Sequence, residues 1–325
     1  FFKQKTAYEI STRDWSSDVC SSDLRFNADG TGDWLELSFG KHGIDGQNSI
    51  YPFTDQADVL VHARLAADAA GATKMDRPEW GAVNPKNGEV YMTLTYNPSR
   101  ELNQLDAANP RYYQDAKAGK QGRGNVNGHI IRWAEQDGSQ AATRFNWDVF
   151  LFAARESADR DHINLSGLDA SNDFSSPDGL WFAQSGLLWI ETDDSAYTDT
   201  SNCILLAAIP GTVGDGGERE VISRDGEQQK IVRTQIGAAA RPDRLRRFLV
   251  GPVDCEITGL AESPDGRALF VNIQHPGETT QGKGFDIANP STYLSHWPAG
   301  GDARPRSATI VITRDDGGPI GAEVF

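Results

Sequence analysis

Apolar residues along most of the chain occur in short runs that alternate with polar residues and end at Gly, Pro, Asn or Asp. Alternation with a period of two is typical of β-strands, because successive side chains of a strand point to opposite faces. Turn residues at both ends of each run mark the limits of short strands. The pattern therefore predicts an all-β fold. The segments that follow it are residues 79–97, 128–138, 142–154, 179–194, 202–211, 246–275 and 307–317.

One segment shows helical spacing instead. Residues 55–71 have an Ala-rich body with apolar residues three and four positions apart. Thr54 or Asp55 can serve as the N-cap, and Gly71 lies near the expected end. We therefore predict one short helix near 55–71.

A turn followed by an alternating strand recurs along the chain, at residues 83–94, 175–192 and 262–273. Each copy places Pro and then Asn or Asp before Gly. This combination forms β-turns, since Pro fixes φ and Gly adopts a positive φ. In the second copy we expect one turn at Pro177-Asp178-Gly179 and another near Ser185-Gly186.

Recurring units of a turn and a strand are typical of a β-propeller. The copies are further apart than one ordinary blade, so we predict long loops at 99–126 and 211–240. An unrelated β-sandwich is the alternative fold.

The chain carries a net charge of −15, with 46 acidic and 31 basic residues. Such a charge repels phosphate backbones and argues against a nucleic-acid partner, whereas it suits bound hard cations. No apolar run is long enough to span a membrane. Cys203 and Cys255 have no zinc-type spacing and are expected to be buried thiols, with a single disulfide as the alternative.

The first segment, Phe1 to Leu24, has neither a strand nor a helix pattern. KQKTAYEI and DWSSDVCSSDL read as translations of two companion sequencing-library adapters. We therefore expect residues 1–24 to be a non-native segment, with the protein's own sequence beginning near Arg25. A disordered tail rich in Ser and Asp is the alternative.

Three stretches place acidic residues in turn-bounded surroundings. In KMDRPEW, Arg77 and Glu79 flank a proline, which restricts the backbone before it. Glu79 is either a metal ligand or a surface acid paired with Arg77. In CEITG, Glu256 follows a strand-like run and is either a metal ligand or a cap for a buried backbone group. His275, in NIQHPGE, is expected to be a hydrogen-bonded structural residue.

The third acidic stretch combines Asp178 with Glu191, Asp193 and Asp194. Alternation along a strand places Glu191 and Asp193 on one face. Ca²⁺ takes six to eight oxygen ligands, so ligands from several blades are expected. A solvated turn at ETDDS is the alternative.

Several motifs, in this order, resemble the C-terminal half of a PhoX-type alkaline phosphatase. They are RFNADGTGDW, ARLAADAAGATKMDRPEW, NGHIIRW, SSPDGLWF, GLLWIETD and CEITGLAESPDGRALFVNIQHPGE. The resemblance extends from Arg25 to the end. It implies that residues 25–325 are the C-terminal blades of a six-bladed β-propeller, from a monomeric, periplasmic or secreted enzyme that cleaves small-molecule phosphomonoesters.

The resemblance also implies roles for single residues. Glu79, Asp193 and Glu256 match acidic positions of the family and are expected to be metal ligands, with Asp178 and Glu191 as further ligands. Arg77 is expected to be catalytic and to bind substrate phosphate, a task that Lys74 would share.

The family's cluster contains Ca²⁺ and Fe³⁺, and part of its iron cage comes from the N-terminal half. We therefore expect an incomplete cluster here and no activity from this chain alone. The alternatives are a non-catalytic propeller that binds a ligand and a calcium-dependent propeller of the lactonase type.

Overall fold

The computed structural model describes residues 21–117, 120–193, 201–281 and 284–321. Residues 1–20, most of the segment expected to be non-native, lie outside this range, as does Asp194. The chain divides into two compact units. The first contains Phe1–Lys74 and Glu135–Asn146, and the second contains Met75–Ala134 and Trp147–Phe325.

The regular secondary structure of the described residues is mostly β-strand, as the alternating pattern predicts. In chain order the strands are β1 (Ser21–Phe26), β2 (Thr31–Leu37), β3 (Pro78–Val83), β4 (Val90–Leu94), β5 (Tyr113–Lys117), β6 (Lys120–Gly124), β7 (His129–Glu135), β8 (Arg144–Phe152), β9 (Pro177–Phe182), β10 (Leu188–Thr192), β11 (Ile204–Ala208), β12 (Gly217–Asp225), β13 (Gln228–Ile236), β14 (Leu245–Val250), β15 (Glu256–Glu262), β16 (Ala268–Gln274) and β17 (Ala308–Thr313). None of the described helices is long and apolar enough to cross a membrane.

The first unit joins an antiparallel β1–β2 hairpin to two short helices, α1 (Gln56–Val61) and α2 (Ala63–Ala70). The predicted helix is thus present but is interrupted at His62, which has non-helical angles of φ −108° and ψ 36°. The Asp55 carboxylate caps α1 by accepting the Asp58 N–H at 2.9 Å, and Gly71 ends α2 at φ 76°. Residues 21–24 of the opening segment form the first part of β1.

Besides the hairpins β5–β6 and β12–β13, the second unit contains three successive sets of antiparallel strands. Their strand orders are β8-β7-β4-β3, β14-β11-β10-β9 and β15-β16-β17. In these three sets, the strands that come first in the chain are β3, β9 and β15. β9 packs against both β3 and β15. These three neighbouring strands carry the acidic residues of the candidate site.

The apolar faces of successive sheets meet in two cores. Tyr91 and Ile130 of the first sheet pack with Leu188 and Leu206 of the second. Trp189, on the other face of β10, packs with residues of the third sheet, together with the buried Cys203 and Cys255. Because β10 lies between two cores, all of its residues are buried. This explains why its sequence is less strictly alternating than that of the outer strand β17.

The segments 99–126 and 211–240, which were predicted to be loops, contain hairpins, so this prediction is wrong in part. β5 pairs with β6 in the first segment and β12 pairs with β13 in the second. In the second hairpin, Gly226 supplies the turn at φ 59° between two alternating strands. That alternation is visible in the sequence, whereas β5 and β6 are short and polar and give no comparable signal.

The same tetrapeptide, Ser-Pro-Asp-Gly, has two different structures. At 263–266 it is a turn, in which the Gly266 N–H donates to the Ser263 carbonyl at 2.8 Å and φ of Gly266 is 68°. At 176–179 the expected turn is absent, because Pro177 to Gly179 begin strand β9 and Pro177 pairs with Thr192. The predicted turn near Ser185-Gly186 is present, with the Gly186 N–H bonded to Ala183 at 2.9 Å.

Candidate metal centre

Carboxylates from three strands meet in the second unit. Asp178, Asp193 and Glu256 each place a carboxylate oxygen within 4.8 Å of the oxygens of the other two, and all three residues are half-buried. Glu79 acts electrostatically on Asp178, and Asp178 acts on Glu191. We call Glu79, Asp178, Glu191, Asp193 and Glu256 the acidic cluster.

The sheet order places these residues together. Glu79 is the second residue of β3, Asp178 the second of β9 and Glu256 the first of β15. β9 contacts both β3 and β15, and the acids at the starts of these strands lie near one another, since Asp178 and Glu256 are within ligand distance and Glu79 acts on Asp178. Glu191 lies near the end of β10, which pairs with β9, and Asp193 directly follows the last residue of β10. Of the five acids that the sequence singled out, the structure brings Asp178, Asp193 and Glu256 together, and Glu79 and Glu191 lie near enough to interact electrostatically with Asp178.

Asp178 lies at the electrostatic centre of the acidic cluster. Its backbone carbonyl accepts the Thr93 hydroxyl at 2.7 Å, which ties β9 to β4. Burial, and then the charges of Glu79, Glu256 and Asp193, raise the pKa of Asp178 to about 7, while the charge of Arg77 acts to lower it. A carboxyl that resists ionisation in this way lacks sufficient positive charge nearby.

Glu191 is the most deeply buried member, with 4% of its surface exposed. The Gly259 N–H donates to its carboxylate, while its Oε1 atom is buried and has no hydrogen-bond partner. Burial, and then the charge of Asp178, raise the pKa of Glu191 to about 8. The solvated-turn interpretation is therefore wrong for Glu191.

Gly179 leaves the space that the Glu191 carboxylate occupies. A Cβ atom at position 179 would lie 1.7 Å from Glu191 Oε2. Neither Gly179 nor Gly259 was singled out in the sequence as a site residue. Gly179 follows Asp178 directly, but the side chain that it accommodates comes from the neighbouring strand, so only the strand register reveals its role.

Glu256 is held by two neighbours at the end of β16. Its Oε2 atom accepts the Gln274 amide at 2.7 Å and lies 3.2 Å from His275 Nε2. Burial and then Asp193 raise the pKa of Glu256, while His275 lowers it. His275 is hydrogen-bonded, as expected, but its partner is a member of the acidic cluster.

Arg77 supplies positive charge beside the acidic cluster. Its Nη2 atom lies 3.1 Å from Glu79 Oε1, and the two side chains are 46% and 33% exposed. The guanidinium stacks over the Tyr96 ring, 4.4 Å from its centroid. Lys74, the other predicted phosphate-binding residue, belongs to the first unit and pairs there with Asp68 at 3.5 Å.

The donor set fits a hard cation. Every member of the acidic cluster offers carboxylate oxygens, which Ca²⁺ and comparable ions prefer. The oxygens lie close enough to repel one another, and the unpartnered Oε1 of Glu191 is a buried acceptor with nothing to accept. Bound cations would neutralise the repulsion between the carboxylates and would give the buried oxygen of Glu191 a ligand partner.

Gly179→Ala is expected to displace Glu191 and to weaken calcium binding about tenfold, because the new methyl group takes the space of the carboxylate. Gly266→Ala is the matched control in the other Ser-Pro-Asp-Gly sequence. It is expected to lower the free energy of unfolding by about 1 kcal/mol through its positive φ and to leave calcium affinity unchanged. Calorimetric titration of the chelator-treated protein with calcium measures the calcium affinity of both variants. Equal calcium affinities for the two variants would contradict the role of Gly179.

Comparisons with known proteins identify the family of the chain. A family model described as "Alkaline phosphatase PhoX" matches residues 18–277. Among solved structures, "Pseudomonas fluorescens PhoX in complex with vanadate, a transition state analogue" is similar at 36% sequence identity and a TM-score of 0.67, over 93% of this chain and 45% of that chain. No curated protein matches the chain. The likeness confirms the predicted β-propeller fold, and the family match, which covers most of the sequence, shows that the chain belongs to the PhoX alkaline phosphatase family.

Proposed function

We propose that the acidic cluster and Arg77 form part of a metal-dependent site that hydrolyses phosphate monoesters. The main support for this proposal is that carboxylate oxygens of Asp178, Asp193 and Glu256 lie within 4.8 Å of one another, in a chain that belongs to this family. The chain spans 45% of the PhoX chain that it matches, so the activity is proposed for the whole protein.

Asp178, Asp193 and Glu256 would hold the first cation, since their oxygens are already close together. Glu191 offers its unpartnered Oε1, and Glu79 lies at the exposed margin next to Arg77. We propose Ca²⁺ and Fe³⁺ as the ions, in line with the hard oxygen donors. Bound ions would draw charge from the phosphate oxygens and stabilise the charge that develops as the ester bond breaks.

Arg77 is proposed to bind the phosphate. A guanidinium presents parallel N–H donors that match two phosphate oxygens, and the side chain is exposed enough to reach a ligand. Glu79 and the Tyr96 ring hold its orientation from two sides. Lys74 stays a prediction for the same task.

We further propose small phosphomonoesters as substrates, because a net charge of −15 repels nucleic acids and other extended polyanions. A monomeric state and a periplasmic or secreted location are proposed from family membership. The inactivity of this chain alone also stays a prediction, and turnover of p-nitrophenyl phosphate by the purified chain would contradict it.

Arg77→Ala is expected to lower kcat/KM for p-nitrophenyl phosphate about 100-fold in metal-loaded protein made from the complete gene, because the phosphate loses its two-pronged donor. Arg241→Ala is the matched control, since Arg241 also pairs with an acid two residues on, Asp243, at 3.1 Å. It is expected to keep full activity.

The metal content of each sample is measured together with its activity, so that loss of metal is distinguished from loss of phosphate binding. An unchanged kcat/KM for Arg77→Ala would contradict the phosphate-binding role. Wild-type protein made from the complete gene that is fully loaded with metal yet turns over no phosphate ester would contradict the phosphatase proposal and support a non-catalytic binding protein.

A further inference from the structure

Asp76, the residue before Arg77, lies in a buried polar network. Its side chain is fully buried, at 0% exposure. Its Oδ1 atom accepts the Asn97 amide at 2.7 Å and the Arg100 Nε–H at 2.8 Å, and its Oδ2 atom accepts the Asn125 amide at 3.0 Å. Both oxygens of the carboxylate therefore hold fixed partners from segments that follow β4 and β6.

The network continues behind Asn125. Arg111 donates to Asn125 Oδ1 at 3.0 Å, and Asn125 Nδ2 lies 2.9 Å from His129 Nδ1. His129 Nε2 lies 2.8 Å from the Ala108 carbonyl, so Nε2 carries the proton and Nδ1 accepts. Burial lowers the pKa of His129 to about 4, so the ring is neutral at neutral pH and keeps these roles. Asp76 is thus anchored to a framework whose members are themselves held.

Arg77 has an unfavourable backbone conformation. Its φ is 50°, a value that residues other than Gly, Asn and Asp rarely adopt. Arg77 also precedes Pro78, which further restricts the backbone angles open to it. Its carbonyl accepts the Thr95 N–H at 3.2 Å. Such a conformation persists only where surrounding contacts impose it, and the contacts of Asp76 lie on the N-terminal side.

The same carboxylate also fixes the surface on which the Arg77 guanidinium rests. Tyr96, whose ring lies under that guanidinium, is followed directly by Asn97, a donor to Asp76. Asn97 in turn exchanges backbone hydrogen bonds with Asn125, at 2.9 and 3.0 Å. Asp76 therefore connects the peptide before Arg77 with the segment that carries its stacking partner.

We propose that Asp76 is a positioning residue, which sets the place of the Arg77 guanidinium beside the acidic cluster and thereby the affinity for phosphate. This inference rests on the proposed function of Arg77. Asp76 itself does not touch the substrate in this account, because its side chain is fully buried.

Calorimetric binding of inorganic phosphate to the metal-loaded protein tests the proposal through a double-mutant cycle. Asp76→Asn is expected to weaken phosphate binding about tenfold with unchanged metal content, because the introduced amide cannot accept from all three donors and Arg77 shifts. Arg77→Ala is expected to weaken it at least as much. The double variant is expected to bind no more weakly than Arg77→Ala alone, since Asp76 acts only through Arg77.

Asp148→Asn is the matched control. Asp148 is an equally buried carboxylate that pairs with Arg132 at 2.7 Å, and its loss is expected to reduce thermal stability while phosphate affinity stays at the wild-type value. If Arg77→Ala leaves phosphate binding unchanged, the proposed function fails first. If Arg77→Ala weakens binding but folded Asp76→Asn does not, or if the two effects simply add, the positioning role is overturned.

Asn97→Ala serves if Asp76→Asn does not fold. Asn97 is half-buried, and this variant removes one donor to Asp76 while the backbone bonds to Asn125 remain. A smaller loss of phosphate affinity, absent in the Arg77→Ala background, supports the proposal. Wild-type affinity in folded Asn97→Ala overturns it.

Discussion

In the whole protein, Asp178→Asn is expected to lower the bound metal content and to reduce kcat/KM for p-nitrophenyl phosphate about 1,000-fold, a larger loss than the 100-fold expected for Arg77→Ala. Asp178 shares the acidic cluster with Asp193 and Glu256, and its electrostatic partners also include Glu79 and Glu191. A neutral amide offers one weak oxygen in place of a charged carboxylate. Metal analysis by mass spectrometry and steady-state kinetics on the same samples measure both effects.

Although Asp178→Asn is expected to reduce metal binding and activity, it is expected to stabilise the metal-free protein. Removing one of several neighbouring negative charges relieves repulsion, so the melting temperature in chelator should rise above that of wild type. Asp265→Asn is the matched control, because Asp265 occupies the same position of the other Ser-Pro-Asp-Gly sequence but is 64% exposed. It should change neither metal content nor turnover. Normal metal content in Asp178→Asn would show that Asp178 is not a ligand.

The metal-free protein is expected to lose stability as the pH rises from about 4 to about 8. The pKa of Asp178 is raised from 3.8 to about 7 and that of Glu191 from 4.5 to about 8, and the two groups titrate as a coupled pair. Between the unfolded and folded values, the folded state holds protons that the unfolded state has released. The stabilisation is therefore full below the unfolded pKa values and is lost by the time the pH passes the folded ones.

Calcium is expected to reverse this trend. A bound cation favours the ionised carboxylates, so the calcium-loaded protein should become more stable relative to the metal-free protein as the pH rises. Thermal melts between pH 5 and pH 8.5, with chelator and with calcium, measure the two curves. Asp178→Asn should flatten the chelator curve. Equal pH dependence with and without calcium would mean that the cation binds elsewhere.

Most of the β-structure follows from patterns within short segments. Alternation and turn residues locate 11 of the 17 strands of the described residues, because both signals arise from neighbouring residues in the sequence. The two Ser-Pro-Asp-Gly sequences show where local reasoning fails. At 263–266 the peptide turns, whereas at 176–179 the pairing of Pro177 with Thr192 extends it into a strand. The outcome depends on a partner strand and not on the four residues themselves.

The sequence was sufficient to name the acidic residues of the candidate site, but it did not predict the burial and hydrogen bonding of their side chains. The resemblance to a known family singled out Glu79, Asp178 and Glu256, which stand at the starts of the observed strands β3, β9 and β15. The burial of Glu191 depends on Gly179 and Gly259, which belong to other strands. Nothing in the sequence around Asp76 indicates that its carboxylate is buried, because its partners lie 21 to 49 positions further along the chain.

Anomalous diffraction from crystals of the metal-loaded protein, grown with calcium, iron and vanadate, tests the central claim most directly. We expect cations bound by Asp178, Asp193 and Glu256, with the Arg77 guanidinium within hydrogen-bonding distance of a vanadate oxygen. Cations bound at other residues, or an acidic cluster that stays without metal in the presence of calcium and iron, would contradict it.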